Sequence, residues 1–176
     1  AGSDPDHILQ LPDTNGMKDE ILIFENHRFD FEICYRTAGA TLKEWGKDEG
    51  TLAEQLEVAI DEKTAAVTYV FGPWMDCALT LREVVAIAHA KDVPVIVDAA
   101  AMLPPADNLT KYVAEGADLV TFSGGKGLRG PQSTGILVGR ADLVEAARLN
   151  MSPHASVGRG SKVAKEEIAA VLVALK

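Results

Sequence analysis

Apolar positions along the chain follow two alternating periods. Ile21–Phe24 is a short β-branched run. Phe29–Ala38 follows with helical spacing, and Gly39 stands where such a helix would stop. Thr41–Trp45 has the pattern of a strand. Thr51–Asp61 places Leu52, Leu56, Ala59 and Ile60 on one helical face, with Thr51 and Glu54 spaced as a capping box. Thr64–Phe71 is strand-like, and Thr80–Lys91 is a helix opened by a second box, Thr80 and Glu83. Pro94–Val97 is short and wholly apolar, as a strand covered on both faces should be. Asn108–Glu115 is a helix ended by Gly116. Ala117–Phe122 and Gly135–Val138 are strands, and Ala141–Asn150 and Lys162–Leu175 are helices.

Strand and helix alternating with short Gly- or Asp-marked joints predict an α/β fold: three layers, with a mostly parallel sheet between helices. One joint differs. Only a Gly-rich loop separates Ala117–Phe122 from Gly135–Val138, so that pair is expected to be antiparallel. The polar stretch Met151–Ser161 is the weakest point of the chain, giving a main domain over 1–161 and a leading helix over 162–176.

The length of 176 residues suits one packed core, or part of a larger one. A 47% hydrophobic content without repeats excludes disordered, collagen-like and coiled-coil classes. No run of about 18 uncharged apolar residues is present, so no membrane span is expected. The net charge of −9 counts against a general nucleic-acid binder, which needs a basic face. Cys34 and Cys77 form no ligand cluster with His, so no metal site is expected, and two free thiols in a cytoplasmic protein are the plain reading. The chain starts Ala-Gly-Ser-Asp, without Met or a signal pattern, which suggests a piece of a longer chain or a processed form.

In open α/β sheets, ligands bind beyond the carboxyl ends of the strands. Three such ends carry polar residues: Glu25-Asn26-His27, Asp98, and Ser123-Gly124-Gly125-Lys126-Gly127. Asp98 is either a capping or loop acid, or the partner of a cationic group, because an unpaired carboxylate there is costly to bury. Lys126 is either a surface lysine or a desolvated amine nucleophile. His27 is either structural or catalytic; His89 looks structural, and His7 and His154 carry no signal. Gly125–Gly130 formally matches GxGxxG, but Pro131 and a strand follow where a dinucleotide-binding turn must open a helix. A phosphate-cradling P-loop fails too, since Val120 stands where its first Gly should be and Gly127 where its Ser or Thr should be.

Together, Val97-Asp98-Ala99-Ala100, the run Thr121 to Gln132 (TFSGGKGLRGPQ) and Arg159 to Glu167 (RGSKVAKEE) resemble the selenocysteine-synthase-like family, which includes D-glucosaminate-6-phosphate ammonia-lyases. The resemblance runs from about Asp4 to Lys176. It implies the large domain of a fold-type-I pyridoxal-phosphate enzyme. Lys126 would form the Schiff base with pyridoxal 5'-phosphate. Asp98 would pair with the protonated ring nitrogen, keeping the ring an electron sink. His27 would stack on one ring face and Ala100 would pack on the other. Ser123 would touch the phosphate, and Arg159 would bind an anionic part of the substrate. The implied activity is β-elimination of the ammonia-lyase type on a small amino acid or amino-sugar acid. The alternatives are a selenocysteine synthase acting on seryl-tRNA, and an inactive large-domain fragment. A desulfurase is disfavoured because neither Cys77 nor Cys34 sits where its nucleophile should be.

The chain departs from the family in length. Members are about twice as long, with a phosphate-binding turn upstream and a small domain downstream. The implied whole is a homo-oligomer with its site at a subunit boundary. A chain lacking those parts is expected to leave apolar sheet surface bare and to self-associate.

Overall fold

The computed structural model describes residues 1–47, 51–73 and 75–176. Six strands form one sheet: β1 (Glu20–Phe24), β2 (Thr41–Trp45), β3 (Thr64–Val70), β4 (Val95–Asp98), β5 (Leu119–Ser123) and β6 (Gly135–Gly139). Their spatial order is β2-β1-β3-β4-β5-β6. The first five run parallel, and β6 runs antiparallel to β5 with Ser123 opposite Gly135. The antiparallel expectation holds for a simple reason: a Gly-rich loop reverses the chain at once, whereas a parallel return needs a crossover of a dozen residues or more.

Among the described residues, seven α-helices connect or flank the strands: α1 (Pro5–Gln10), α2 (Ile33–Thr37), α3 (Leu52–Ala59), α4 (Leu81–His89), α5 (Asn108–Ala114), α6 (Ala141–Leu149) and α7 (Lys165–Ala174). Both capping boxes form. Thr51 Oγ1 accepts from the Glu54 N–H at 3.3 Å while Glu54 Oε2 accepts from the Thr51 N–H at 3.0 Å. The Thr80 N–H donates to Glu83 Oε2 at 2.7 Å, and Thr80 Oγ1 accepts from the Glu83 N–H at 3.4 Å.

Two segments differ from their sequence patterns. Phe29–Ala38 is not one helix but a 3-10 turn at Asp30–Glu32 followed by the short α2. Arg28 and Arg36 both pair with Glu32, which fixes this turn. The helix α1 has no apolar stripe to announce it. Asp4 caps it, accepting from the Asp6 and His7 N–H groups, and Pro5 opens it.

Alternate residues of the strands build the core. Leu22, Val67, Val95, Val97, Val120 and Phe122 share one cluster under the helices, all 2% exposed or less. Burying each such side chain contributes about 1.5–3 kcal/mol. Among the described residues, no helix is long and apolar enough to cross a membrane.

Candidate active site

The strand order places the reversal of winding between β1 and β3, where open α/β sheets form a crevice at their carboxyl rim. A cavity of about 440 Å³ lies there. It is lined from the carboxyl ends of four different strands: Phe29 and Phe31 after β1, Val70 to Pro73 at the end of β3, Asp98, Ala100 and Ala101 at the end of β4, and Ser123 and Lys126 at the end of β5.

Asp98 is half-buried as the last residue of β4. The backbone on both sides fixes it: the Phe71 N–H donates to its carbonyl and the Ala99 N–H donates to the Thr121 carbonyl, each at 2.9 Å. Its Oδ1 accepts from the Ala100 N–H at 2.9 Å, a tight turn that aims the carboxylate at the rim. Oδ1 retains a second lone pair, and Oδ2 accepts no hydrogen bond from the described residues.

The loop after β5 is folded on itself. The Gly124 N–H donates to the Thr134 carbonyl at 2.9 Å, the Gly130 N–H to the Gly124 carbonyl at 2.7 Å, and Gln132 Nε2 to the Gly125 carbonyl at 2.9 Å. Gly127 is required by close approach: a Cβ there would lie 1.8 Å from the Leu103 carbonyl oxygen. This closure presents Lys126 outward at the cavity mouth, exposed, with its Nζ 5.9 Å from the Phe31 ring centroid. That distance lies within cation–π range. The chain runs from Gly125–Gly130 into strand β6.

Of the six residues singled out from sequence, the structure brings four together at this cavity: Lys126, Asp98, Ala100 and Ser123. His27 and Arg159 are not among them. The His27 ring is 0% exposed, edge-on to Phe24 and Tyr69 with centroids 5.4 and 4.9 Å away. Its Nδ1 accepts from the Val70 N–H at 3.3 Å, and Nε2 has no hydrogen-bond partner among the described residues. In this conformation the ring has no accessible surface, and it is not among the residues lining the cavity. Burial pushes the imidazole down to about 4, against a weaker opposite pull from the Met75 backbone and the Asp76 charge. Arg159 is exposed, donates to Ser152 Oγ at 2.6 Å, and lines a different depression with Ile8, Leu11 and Val157.

The sequence reading missed Phe29, Phe31 and Phe71 as cavity walls. The signal was present: aromatic residues within a few positions of a strand's carboxyl end, on the rim where ligands bind.

A family model described as "L-seryl-tRNA selenium transferase" matches residues 29–176. The chain belongs to this family. The chain is 33% identical over 177 residues to a D-glucosaminate-6-phosphate ammonia lyase of Salmonella typhimurium, covering 96% of this chain and 45% of that protein. A solved D-glucosaminate-6-phosphate ammonia-lyase superposes with a TM-score of 0.87 at 32% identity, covering 99% of this chain and 47% of the other. A pyridoxal-5'-phosphate-dependent protein from Escherichia coli shares the fold, with a TM-score of 0.62 at 23% identity over 90% of this chain and 42% of that one. The six-stranded sheet is thus that of the fold-type-I pyridoxal-phosphate enzymes, and the chain spans about half the length of the relatives it matches.

Proposed function

We propose that this chain is the cofactor-holding core of a pyridoxal-phosphate lyase. Its reaction is β-elimination of the ammonia-lyase type on a small amino acid or amino-sugar acid. The observation that carries this reading is one cavity lined by both Lys126 and Asp98.

The residues fit the group. An amine suits its aldehyde, a carboxylate suits its ring nitrogen, and the small Ala100 beside aromatic walls suits a flat ring. When bound, the group supplies an electron sink that stabilises negative charge at the substrate's α-carbon. Lys126 would hold it by its amine, and the same amine would move the proton at the substrate's α-carbon. Asp98 would keep a proton on the ring nitrogen by opposite charge. Ser123 would offer a hydroxyl to the phosphate. Lys126 is the single basic side chain among the described lining residues, so a second cation for the phosphate belongs to protein outside these residues. That agrees with a homo-oligomer whose site is completed at a subunit boundary. The exposed Ile168, Leu172 and Val173 of α7 support reading residues 162–176 as a lead into further protein. The unpaired Cys34 and Cys77 support a reducing compartment, the cytoplasm.

Titration with pyridoxal 5'-phosphate tests the reading. The protein is expected to gain an absorbance band in the near ultraviolet or visible that Lys126→Ala abolishes while its circular dichroism stays unchanged. A band that persists in Lys126→Ala contradicts the assignment. A second reading, transfer chemistry on seryl-tRNA, is favoured by the description of the matching family model. The charge of −9 opposes it, because tRNA binding draws on phosphate contacts. Salt-dependent retention of tRNA in a filter-binding titration would favour this second reading, and its absence would remove it.

A further inference from the structure

The loop that carries Lys126 leaves β5 at Ser123 and returns as β6 at Gly135. Its own bonds close it. Besides those of Gly124, Gly130 and Gln132, the Arg129 N–H donates to the Lys126 carbonyl at 2.9 Å, and the Thr134 N–H and hydroxyl both donate to the Pro131 carbonyl, at 3.1 and 2.7 Å. Internal bonds fix the loop's shape. Where that shape stands relative to Asp98 depends on what grips it from outside. On one side the Leu103 carbonyl lies against Gly127. On another lies α7: a Cβ at Gly130 would meet Val171 Cγ2 at 3.5 Å and Ala174 Cβ at 3.6 Å, so helix and loop backbone are in direct contact. Val171 is buried.

A polar tie crosses the same boundary. The Ser133 hydroxyl donates to Glu167 Oε1. Ser133 stands between the two residues that close the base of the loop. Gln132 holds the Gly125 carbonyl, next to Lys126, and the Thr134 carbonyl holds the Gly124 N–H. Glu167 is fixed to its own helix, because its Oε2 accepts from the Ala164 N–H at 2.9 Å. Ala164 has no side-chain oxygen to cap α7, so Glu167 supplies the acidic half of a capping box alone. A negative charge in the first turn also suits the helix dipole. The Ser133 hydroxyl, and after it the Ala164 N–H, hold the Glu167 carboxyl below its ordinary value. The acceptor facing Ser133 at neutral pH is therefore a carboxylate, which binds a hydroxyl more strongly than a neutral oxygen does.

We propose that Glu167 is a positioning residue for Lys126: through Ser133 its carboxylate ties the loop after β5 to the first turn of α7, and so sets where the amine stands relative to Asp98. This rests on reading Lys126 as the amine that holds the cofactor. Glu167 does not line the cavity, so it acts through the loop and touches no ligand there.

Amide hydrogen exchange over Gly124–Gly130 tests the tie without cofactor, because the Gly124, Arg129 and Gly130 N–H groups are bonded within the loop. Ser133→Ala is expected to speed their exchange about two- to tenfold, the worth of one hydrogen bond. Ser133→Thr keeps the hydroxyl and is expected to exchange as the wild type does. Glu167→Ala is expected to speed exchange too, and the double variant no further, since the shared bond is lost only once. Circular dichroism in the band gained with pyridoxal 5'-phosphate reads the orientation of the amine. Its amplitude per bound cofactor is expected to fall in Ser133→Ala and to be retained in Ser133→Thr. Unchanged exchange in Ser133→Ala overturns the proposal, as do additive effects in the double variant. Faster exchange with an undiminished band also overturns it, since the tie would then hold the loop without placing the amine. A wild-type protein that gains no band contradicts the reading of the cavity instead, and exchange alone then decides whether Glu167 holds the loop.

Discussion

Asp98 and His27 show how neighbours decide what a polar side chain does. Both follow strands at the same rim, yet one opens into a cavity and the other is sealed. Asp98→Asn keeps the acceptor for the Ala100 N–H and removes the charge. Pyridoxal 5'-phosphate is expected to bind about 10- to 100-fold more weakly to this variant, the worth of one charge-assisted hydrogen bond. An absorbance titration reads it, and unchanged affinity would separate Asp98 from the ring nitrogen. His27 makes a different prediction. Its folded value of about 4 lies below the unfolded value of about 6.5, so the unfolded state binds the proton first as pH falls. This group's contribution is therefore full above about pH 6.5 and is lost as pH drops toward 4, on the order of a few kcal/mol. Urea unfolding at a series of pH values should show that slope, and His27→Gln should flatten it.

At the scale of elements, the loop after β5 and the corner before it hold the sheet's two rims. Gly127→Ala forces a methyl against the Leu103 carbonyl. The loop must shift, and cofactor uptake is expected to fall while the far-ultraviolet circular dichroism of the sheet persists; normal uptake would mean that loop closure does not place Lys126. At the opposite rim Asp118 is 2% exposed. Its carboxylate accepts from His89 Nε2 at 2.8 Å, the Val95 N–H at 2.7 Å and Arg140 Nη1 at 2.9 Å, tying α4, β4 and the end of β6 together. Burial alone would raise its pKa, but these three donors outweigh it and hold the carboxyl below its ordinary value. Its contribution is thus present above the unfolded value and lost as pH falls through the folded one. Asp118→Ala leaves the Val95 N–H without that acceptor and should cost about 1–3 kcal/mol in chemical unfolding, without changing the Lys126 cavity.

For the whole molecule, the elements that the chain announces locally formed, except that Phe29–Ala38 broke into a 3-10 turn and the short α2. The capping boxes at Thr51 and Thr80 and the helix-free joint between β5 and β6 each have a short-range cause. So does the convergence of Asp98 and Lys126, because strand ends of a parallel sheet share a rim. The burial of His27 was not legible. It depends on how Phe24, Tyr69 and the chain near Met75 pack around the ring, and no spacing in the sequence encodes that. Arg159 likewise lies beside α1, a contact between residues about 150 positions apart that local pattern does not reveal. Helix α1 itself was marked by Asp4 and Pro5 but lacked an apolar stripe.

The central claim is that one amine and one carboxylate share a single heterocycle. Borohydride reduction of the protein after incubation with pyridoxal 5'-phosphate, followed by peptide mapping, tests it at the bond itself. A pyridoxyl mass on the peptide containing Lys126, diminished in Asp98→Asn, is the predicted result. A mass carried by another of the lysines, or none at all on the peptide spanning Ser123 to Arg129, would contradict it.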